Sequence, residues 1–231
     1  MRLVTLNLRH GGKRHMAAIL DGLLSHRADV LVLTEYHGNA SGGVLREALA
    51  GAGLAHQAAS PAPPGRNGIL IAARQPFRRA GHKLLRFDRE RLLQVRFERF
   101  SLLGLHMPNL HAKAPHWDAL LRLAETAPRT PRIYAGDFNT GRIPEDGEGF
   151  RFTFAEHMEA LENMGWVDAW RHLNPDGREY TWYSHKRRGF RLDHAFLSPR
   201  VRPLLRNAAF AHHYRERGYS DHSALIVDIA L

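Results

Sequence analysis

The feature that most constrains this chain is a set of short apolar runs, each ending on a residue able to do chemistry. RLVTLN closes on Asn7, VLVLTE on Glu35 and LLGLH on His106, while IYAGDFN carries Asp137 and Asn139. GFRLD and YSDH then place Asp193, Asp221 and His222 beside two later runs. Apolar runs this short, bounded by polar residues, have the length of buried strands. A strand fixes the backbone beneath its terminal side chain, so polar groups at the ends of several strands can converge on one cleft.

Helices are expected between only some of these runs. After the strand pattern of 2–8, Met16, Ile19, Leu20, Leu23 and Leu24 recur at helical spacing as far as 25–26. A strand at 30–33 and a short helix at 43–50 follow, and SPAPPGRN at 60–67 holds too many prolines for either regular state. Strand patterns at 68–73, 92–97 and 101–106 lead to a helix with Trp117, Leu120, Leu121 and Ala124 on one face. A strand at 133–136, a polar Gly-rich loop at 140–149 and a helix turning Phe154, Met158 and Leu161 inward come next. The last third reads as mostly short strands ending at 224–231, with His212 and His213 on the surface or on an edge strand. Neighbouring strands are often joined without a helix, which is not the alternation of a simple parallel sheet and predicts an α+β sandwich. No internal repeat is present, and 231 residues suit one domain, 1–231.

Composition narrows the chemistry. The sequence has no cysteine, which removes disulfides, thiolate catalysis and Cys-based zinc sites and leaves oxygen and imidazole ligands, the preference of a hard cation. Lys and Arg number 33 against 23 Asp and Glu, a formal charge of +10 spread along the whole chain. A polyanionic partner fits that excess, and so does a basic surface kept for solubility. The first residues follow a strand pattern instead of a charged-then-apolar leader, and no apolar run reaches bilayer length. The expectation is a soluble cytoplasmic monomer with no membrane attachment.

Against the positive excess, the carboxylates Glu35, Asp137, Asp193 and Asp221 at strand ends form a candidate set for a hard metal and a general base. Singly, each has an ordinary reading. An Asp after a strand commonly caps a helix or forms a turn, and a lone His106 or His222 is more often a hydrogen-bonded imidazole. Their combination and order give them meaning.

Asn near the end of the first strand, Glu ending the second, GDFN, a strand with R-L-D and a final S-D-H before a closing strand resemble the endonuclease/exonuclease/phosphatase superfamily over nearly the whole chain. The resemblance implies a four-layer α/β sandwich, two packed mixed β-sheets flanked by helices, with the active site at one end of the sheets. It implies Mg²⁺ or Mn²⁺ bound by Glu35, with Asn7 beside it and Asp221 among the metal residues. Asp137 would orient and deprotonate the attacking water and Asn139 would help to place it. His222, buttressed by Asp193 or Asp221, and His106 would contact the phosphate.

The segment from Tyr180 to Asp193 is similar to the corresponding stretch of exonuclease III-type abasic-site endonucleases. That similarity implies an apolar pocket of Trp182, Phe190 and Leu192 for an extruded baseless sugar. Lys186, Arg187 and Arg188, after His185, would meet backbone phosphates of duplex DNA carrying abasic or 3′-blocked lesions. The alternative is that these aromatics are core residues and the basic stretch a solvated turn. Two departures stand out: that group typically carries Tyr where this chain has His106, and an acidic or amide residue where it has Arg9, which would bind phosphate or disfavour a second metal. A less specific deoxyribonuclease or small phosphatase is the nearest competing activity, and a non-catalytic DNA-binding module the remoter one.

Overall fold

The computed structural model describes residues 1–126, 130–149 and 152–231. The first half runs β1 (Arg2–Asn7), α1 (Met16–Ser25), β2 (Val30–Tyr36), α2 (Ala40–Gly51), β3 (His56–Ala59), β4 (Gly68–Ala73), β5 (Arg78–Ala80), β6 (Leu92–Arg96) and β7 (Ser101–His106). Next come α3 (Ala114–Thr126), β8 (Arg132–Asp137), α4 (Ala155–Asn163), β9 (Val167–Asp168) and α5 (Ala169–Leu173). The chain finishes with β10 (Trp182–Tyr183), β11 (Gly189–Phe190), β12 (Asp193–Leu197), β13 (Leu205–Ala211), α6 (His213–Glu216) and β14 (Ala224–Ile229).

One six-stranded sheet has the order β13-β14-β1-β2-β4-β3 and the other β5-β6-β7-β8-β12-β9, with β10 and β11 as a separate hairpin. Each large sheet has one parallel step, β1 with β2 and β7 with β8, among antiparallel neighbours. A parallel step needs a crossover, and α1 and α3 supply it. The expected mixed α+β architecture is therefore present, and its two parallel steps account for α1 and α3.

Three apolar layers hold the sheets and helices together. Leu3, Val32 and Ile71 of one sheet meet Val95, Leu102 and Ile133 of the other in the central layer. On the outer faces, Val4, Leu6 and Leu33 pack against Ile19 and Leu45, and Leu103, Leu105 and Phe196 against Trp117 and Leu161. Both faces of the central strands are thus covered, which is why they read as continuous apolar runs. At Gly104 a Cβ would lie 3.1–3.2 Å from Val32, Ile69 and Ile71, so a missing side chain lets the sheets approach there.

Several boundaries differ from the sequence expectation for local reasons. β2 runs on past residue 33 to Tyr36, with a register shift between Thr34 and Tyr36 and Glu35 at φ 52°. Helix α2 begins earlier because the Asn39 side chain accepts the Gly42 N–H at 3.0 Å. Phe154 packs against the same apolar layer as Met158 and Leu161, as expected, but does so as the N-cap of α4 in a left-handed conformation. Between the short strands of the last third stand two brief helices: Asp168 caps α5, and His212 and His213 open α6 instead of lying on a strand.

Candidate active site

The C-terminal ends of β1, β2, β7 and β8 meet the start of β12 at one end of the sandwich. His106 pairs in register with Asp137, and Asp137 with Asp193, so three polar residues stand side by side across adjacent strands. The opposing sheet adds Asn7 and Glu35. GDFN fits this corner for a steric reason. Gly136 sits at φ 143°, and a Cβ there would lie 2.0 Å from the Leu105 carbonyl oxygen, a clash no side chain survives.

Asn7 links the two sheets. Its Nδ2 donates to Asp137 Oδ2 at 3.0 Å and to Glu35 Oε1 at 3.2 Å, and its Oδ1 accepts the Arg9 N–H at 2.9 Å. Glu35 Oε2 also accepts the His10 N–H at 2.7 Å, with the His10 ring 3.1 Å away. Burial would raise the Glu35 pKa, but His106, His10 and Asn7 together hold it below the usual value. His106 Nε2 lies 3.8 Å from both Glu35 Oε1 and Asp137 Oδ2. Its pKa is pushed down by burial, with Asp137 and Glu35 opposing.

Asp137 is 2% exposed, and its Oδ1 accepts the Asn139 N–H at 2.9 Å. Burial first, then Asp193, push its pKa up, while His222 and His106 pull the other way. Asn139, at φ 47°, donates from Nδ2 to the Met107 carbonyl at 2.7 Å. His222 Nδ1 bonds Asp193 Oδ2 at 2.8 Å, and its Nε2 points to Asp137 Oδ2 at 3.9 Å. Burial lowers the His222 pKa, yet Asp193 and Asp137 overcome it and lift the imidazole to about 10. It is therefore a cation at neutral pH.

Asn7, Glu35, His106, Asp137, Asn139, Asp193 and His222 thus share one cleft. Asp221 stands apart, its Oδ2 accepting the Trp182 indole N–H at 3.3 Å. Trp182 is half-buried, forms a backbone bridge to His222 and lies with its ring 5.7 Å from that of Phe190. Phe190 and Leu192 are 8% and 7% exposed and cluster with Phe152 and Ala155, so of the three expected wall residues Trp182 offers the most surface. Arg9 is exposed at φ 53°. Lys186, Arg187 and Arg188 are exposed at the tip of the β10–β11 hairpin, closed by Ser184, whose Oγ accepts the Arg188 N–H at 3.2 Å.

Sequence reasoning passed over three contributors. His10 lies against Glu35, and a histidine in a turn carries no signal of its own. Ser220 Oγ donates to the Asn7 carbonyl at 2.6 Å and accepts the His222 N–H at 3.1 Å, tying the end of β1 to His222. Lys113, 2% exposed, donates from Nζ to Thr140 Oγ1 at 3.1 Å and to the Asn139 carbonyl, bracing the turn after Asp137. Burial lowers its pKa to about 8, against the pull of Asp137.

The donor set suits a hard divalent cation: the Glu35 and Asp137 carboxylates converge on the Asn7 Nδ2, and Asp193 Oδ1 is buried with no hydrogen-bond partner. Ligand atoms of Asp137, Asp193 and His222 also lie within 4.8 Å of one another. His222 Nδ1 is committed to Asp193 there, so that trio reads better as a hydrogen-bonded imidazole facing a carboxylate than as a cage.

The model of the Endonuclease/Exonuclease/phosphatase family matches residues 4–222. The chain belongs to that family. Its members depend on divalent metal, consistent with the buried acidic group in this protein. Recombination repair protein 1 of Drosophila melanogaster is 27% identical over 140 residues, a match covering 50% of this chain and 21% of that much longer protein. The fold is similar to an AP endonuclease from Archaeoglobus fulgidus, with TM-score 0.84, 17% identity and 100% of both chains covered. It is also similar to a 3′-5′ exonuclease from Neisseria meningitidis, with TM-score 0.82, 19% identity and 100% of both chains covered. A 3′ phosphatase from Neisseria bound to a product DNA hairpin gives TM-score 0.81 at 19% identity, with 99% of each chain covered. These likenesses establish the four-layer sandwich of the family. Among the described residues no helix is long and apolar enough to cross a membrane.

Proposed function

We propose that this family member is an abasic-site endonuclease with 3′-exonuclease or 3′-phosphodiesterase activity, acting on duplex DNA with Mg²⁺ or Mn²⁺ and leaving a 3′-hydroxyl. The observation that carries the reading is the junction of Trp182 with His222. A half-buried indole is bridged by backbone to the imidazolium that faces Asp137, which puts an apolar wall beside the hydrolytic group. Such a wall accepts a baseless deoxyribose better than a stacked nucleotide.

The residues divide the work as follows. Glu35, with Asn7 beside it, would hold the cation, which when bound supplies positive charge to the phosphate oxygens. Asp137, its pKa raised by burial, accepts a proton from water, and the Asn7 amide and Asn139 N–H fix the carboxylate's orientation. His222 stays protonated because Asp193 and Asp137 surround it, so it can hydrogen-bond a non-bridging phosphate oxygen. His106 offers a second contact to phosphate. Arg9 and the hairpin of Lys186, Arg187 and Arg188 would meet the backbone of the bound strand.

The test is cleavage of a labelled duplex holding one abasic-site analogue, beside an identical intact duplex, with Mg²⁺, Mn²⁺ or EDTA. Metal-dependent incision of the abasic strand alone is expected. Equal cutting of both duplexes would replace this reading with a general deoxyribonuclease. One observation favours a second reading: His106 lies 3.8 Å from both Glu35 and Asp137, where it would suit a terminal phosphate monoester. Release of phosphate from a 3′-phosphorylated duplex faster than abasic incision would make the protein a phosphatase first.

A further inference from the structure

A cavity of about 570 Å³ opens at the edge of the β5–β6 sheet, lined by none of the residues assigned so far. Arg79, Arg86, Arg89 and His82 line it, with Pro61 of the Pro-rich loop and Leu85 closing the walls. No carboxylate is in the lining. The acids nearest in sequence are turned elsewhere: Asp88 to His116 at 3.0 Å and Arg91 at 3.6 Å, and Glu90 to Arg66 at 3.7 Å. Among the described residues Arg79, Arg86 and Arg89 have no ion-pair partner, and all are exposed. His82 Nδ1 accepts the Leu84 N–H at 3.3 Å, so Nε2 carries the ring proton and is a donor.

Guanidinium groups gathered without an acid repel one another, and an anion in the cavity would reverse the sign of that interaction. Planar forks of donors match phosphate geometry. The cavity also adjoins the hydrolytic end of the sandwich, because the Arg91 carbonyl, two residues beyond Arg89, accepts the His106 N–H at 3.0 Å.

We propose that this cavity is a second anion site that binds a phosphate group, either a backbone phosphate of the bound strand's flank or a free nucleotide or phosphate. The strand arm rests on the DNA-processing function proposed above; the anion site itself does not.

The experiment has two parts, both in EDTA so that nothing is cleaved. Arginine Nε–H resonances are followed by NMR during titration with inorganic phosphate and with deoxyadenosine monophosphate. Binding of a short duplex spanning only the cleft, and of one twice as long, is then measured against salt for the wild type and for Arg79→Gln/Arg86→Gln/Arg89→Gln. These exposed substitutions leave the core untouched, which circular dichroism checks. Saturable Nε shifts absent in the variant, with a salt slope on the long duplex smaller by about one to two and unchanged on the short one, identify a strand-backbone site. Saturable shifts without length dependence identify a free-phosphate site and equally support the proposal. No saturable shift, with identical slopes for both proteins, overturns it. A protein that shows the shifts but cuts no DNA keeps the anion site and loses the proposed nuclease function.

Discussion

Two charged clusters flank β12, and they solve opposite problems. Arg191, fully buried, holds Asp146 through two bonds of 2.8 Å and Asp168 through one of 2.6 Å. Arg171 adds a 2.7 Å bond to Asp146, and His194 reaches both Asp168 at 2.7 Å and the Thr140 carbonyl at 2.8 Å. Two residues after Arg191, Asp193 belongs to the other cluster, where its Oδ2 meets His222 at 2.8 Å but its Oδ1 has no partner, and the imidazoles of His106 and His222 stand 3.8–3.9 Å from Glu35 and Asp137. The closed network spends its charge inside the protein and locks the 140–149 loop to β12. The open cleft keeps charge uncompensated for something that must enter. Buried charge is therefore structural where each carboxylate is held by guanidinium or imidazole donors, and available for chemistry where a carboxylate oxygen is left without one.

The sharpest way to break this contrast is to neutralise one member of each cluster. Asp137→Asn should lower cleavage by about 10²- to 10⁴-fold, the range of a lost general base, with melting temperature and DNA affinity nearly unchanged. Turnover near wild type in single-turnover assays would remove Asp137 from the mechanism. Arg191→Met should do the reverse. It takes three bonds from two buried carboxylates, leaving Asp146 with Arg171 and Asp168 with His194, so urea unfolding should show a loss of about 3–5 kcal/mol, with the rate per folded molecule largely kept. The Asp146 and Asp168 pKa values are held low by Arg191 against burial. Their stabilisation is present above the unfolded carboxylate value of about 3.9 and is lost as pH falls through the lower folded values. In Arg191→Met those values rise, and acid unfolding should begin at higher pH.

The same two clusters show what could be read in the sequence. Asn7, Glu35, His106, Asp137 and His222 were visible because each ends an apolar run or sits in GDFN or SDH, patterns set by local backbone. Arg191 was visible only as part of R-L-D. Its partners Asp146 and Asp168 lie 45 and 23 residues away, and only the folded sheet brings them together. Lys113 was hidden for a related reason: a lysine at a helix start looks solvated until the turn at Asn139 closes over it. The missed helices α5 and α6 are too short for hydrophobic periodicity to register. Asp221 illustrates the converse, since its place between strand ends made it a candidate metal residue, while its contact with the Trp182 indole appears only in the folded chain.

A pH profile sharpens the comparison further. Asp137 is raised, so kcat/KM should fall on the acid side at a higher pH than an ordinary carboxylate would give, as the base takes up a proton. His222 holds its proton up to about 10, so the alkaline limb should appear only there. Its pairing with Asp193 stabilises the fold fully below the unfolded histidine value of about 6.5 and is lost as pH rises through about 10. Asp193→Asn should bring the alkaline limb down towards neutrality. An alkaline limb that does not move would separate His222 from the rate profile.

Trp182→Ala gives the smallest expected effect and bears on the most specific part of the functional reading. The indole is the half-buried edge of an otherwise buried cluster, so its removal exposes the rings behind it without opening the core. If it walls a pocket for a baseless sugar, abasic incision should fall about tenfold, equivalent to about 1.4 kcal/mol, while nicking of intact duplex barely changes. The substitution also frees Asp221 from its indole partner, and a carboxylate released beside His222 would disturb both substrates alike. Trp182→Phe separates the two effects, because it keeps an apolar ring and loses the N–H. Selective loss in the alanine variant with recovery in the phenylalanine variant assigns the ring to substrate. Equal losses on both duplexes in both variants would make Trp182 a support for Asp221, and the open cleft would then owe its selectivity to something other than this wall.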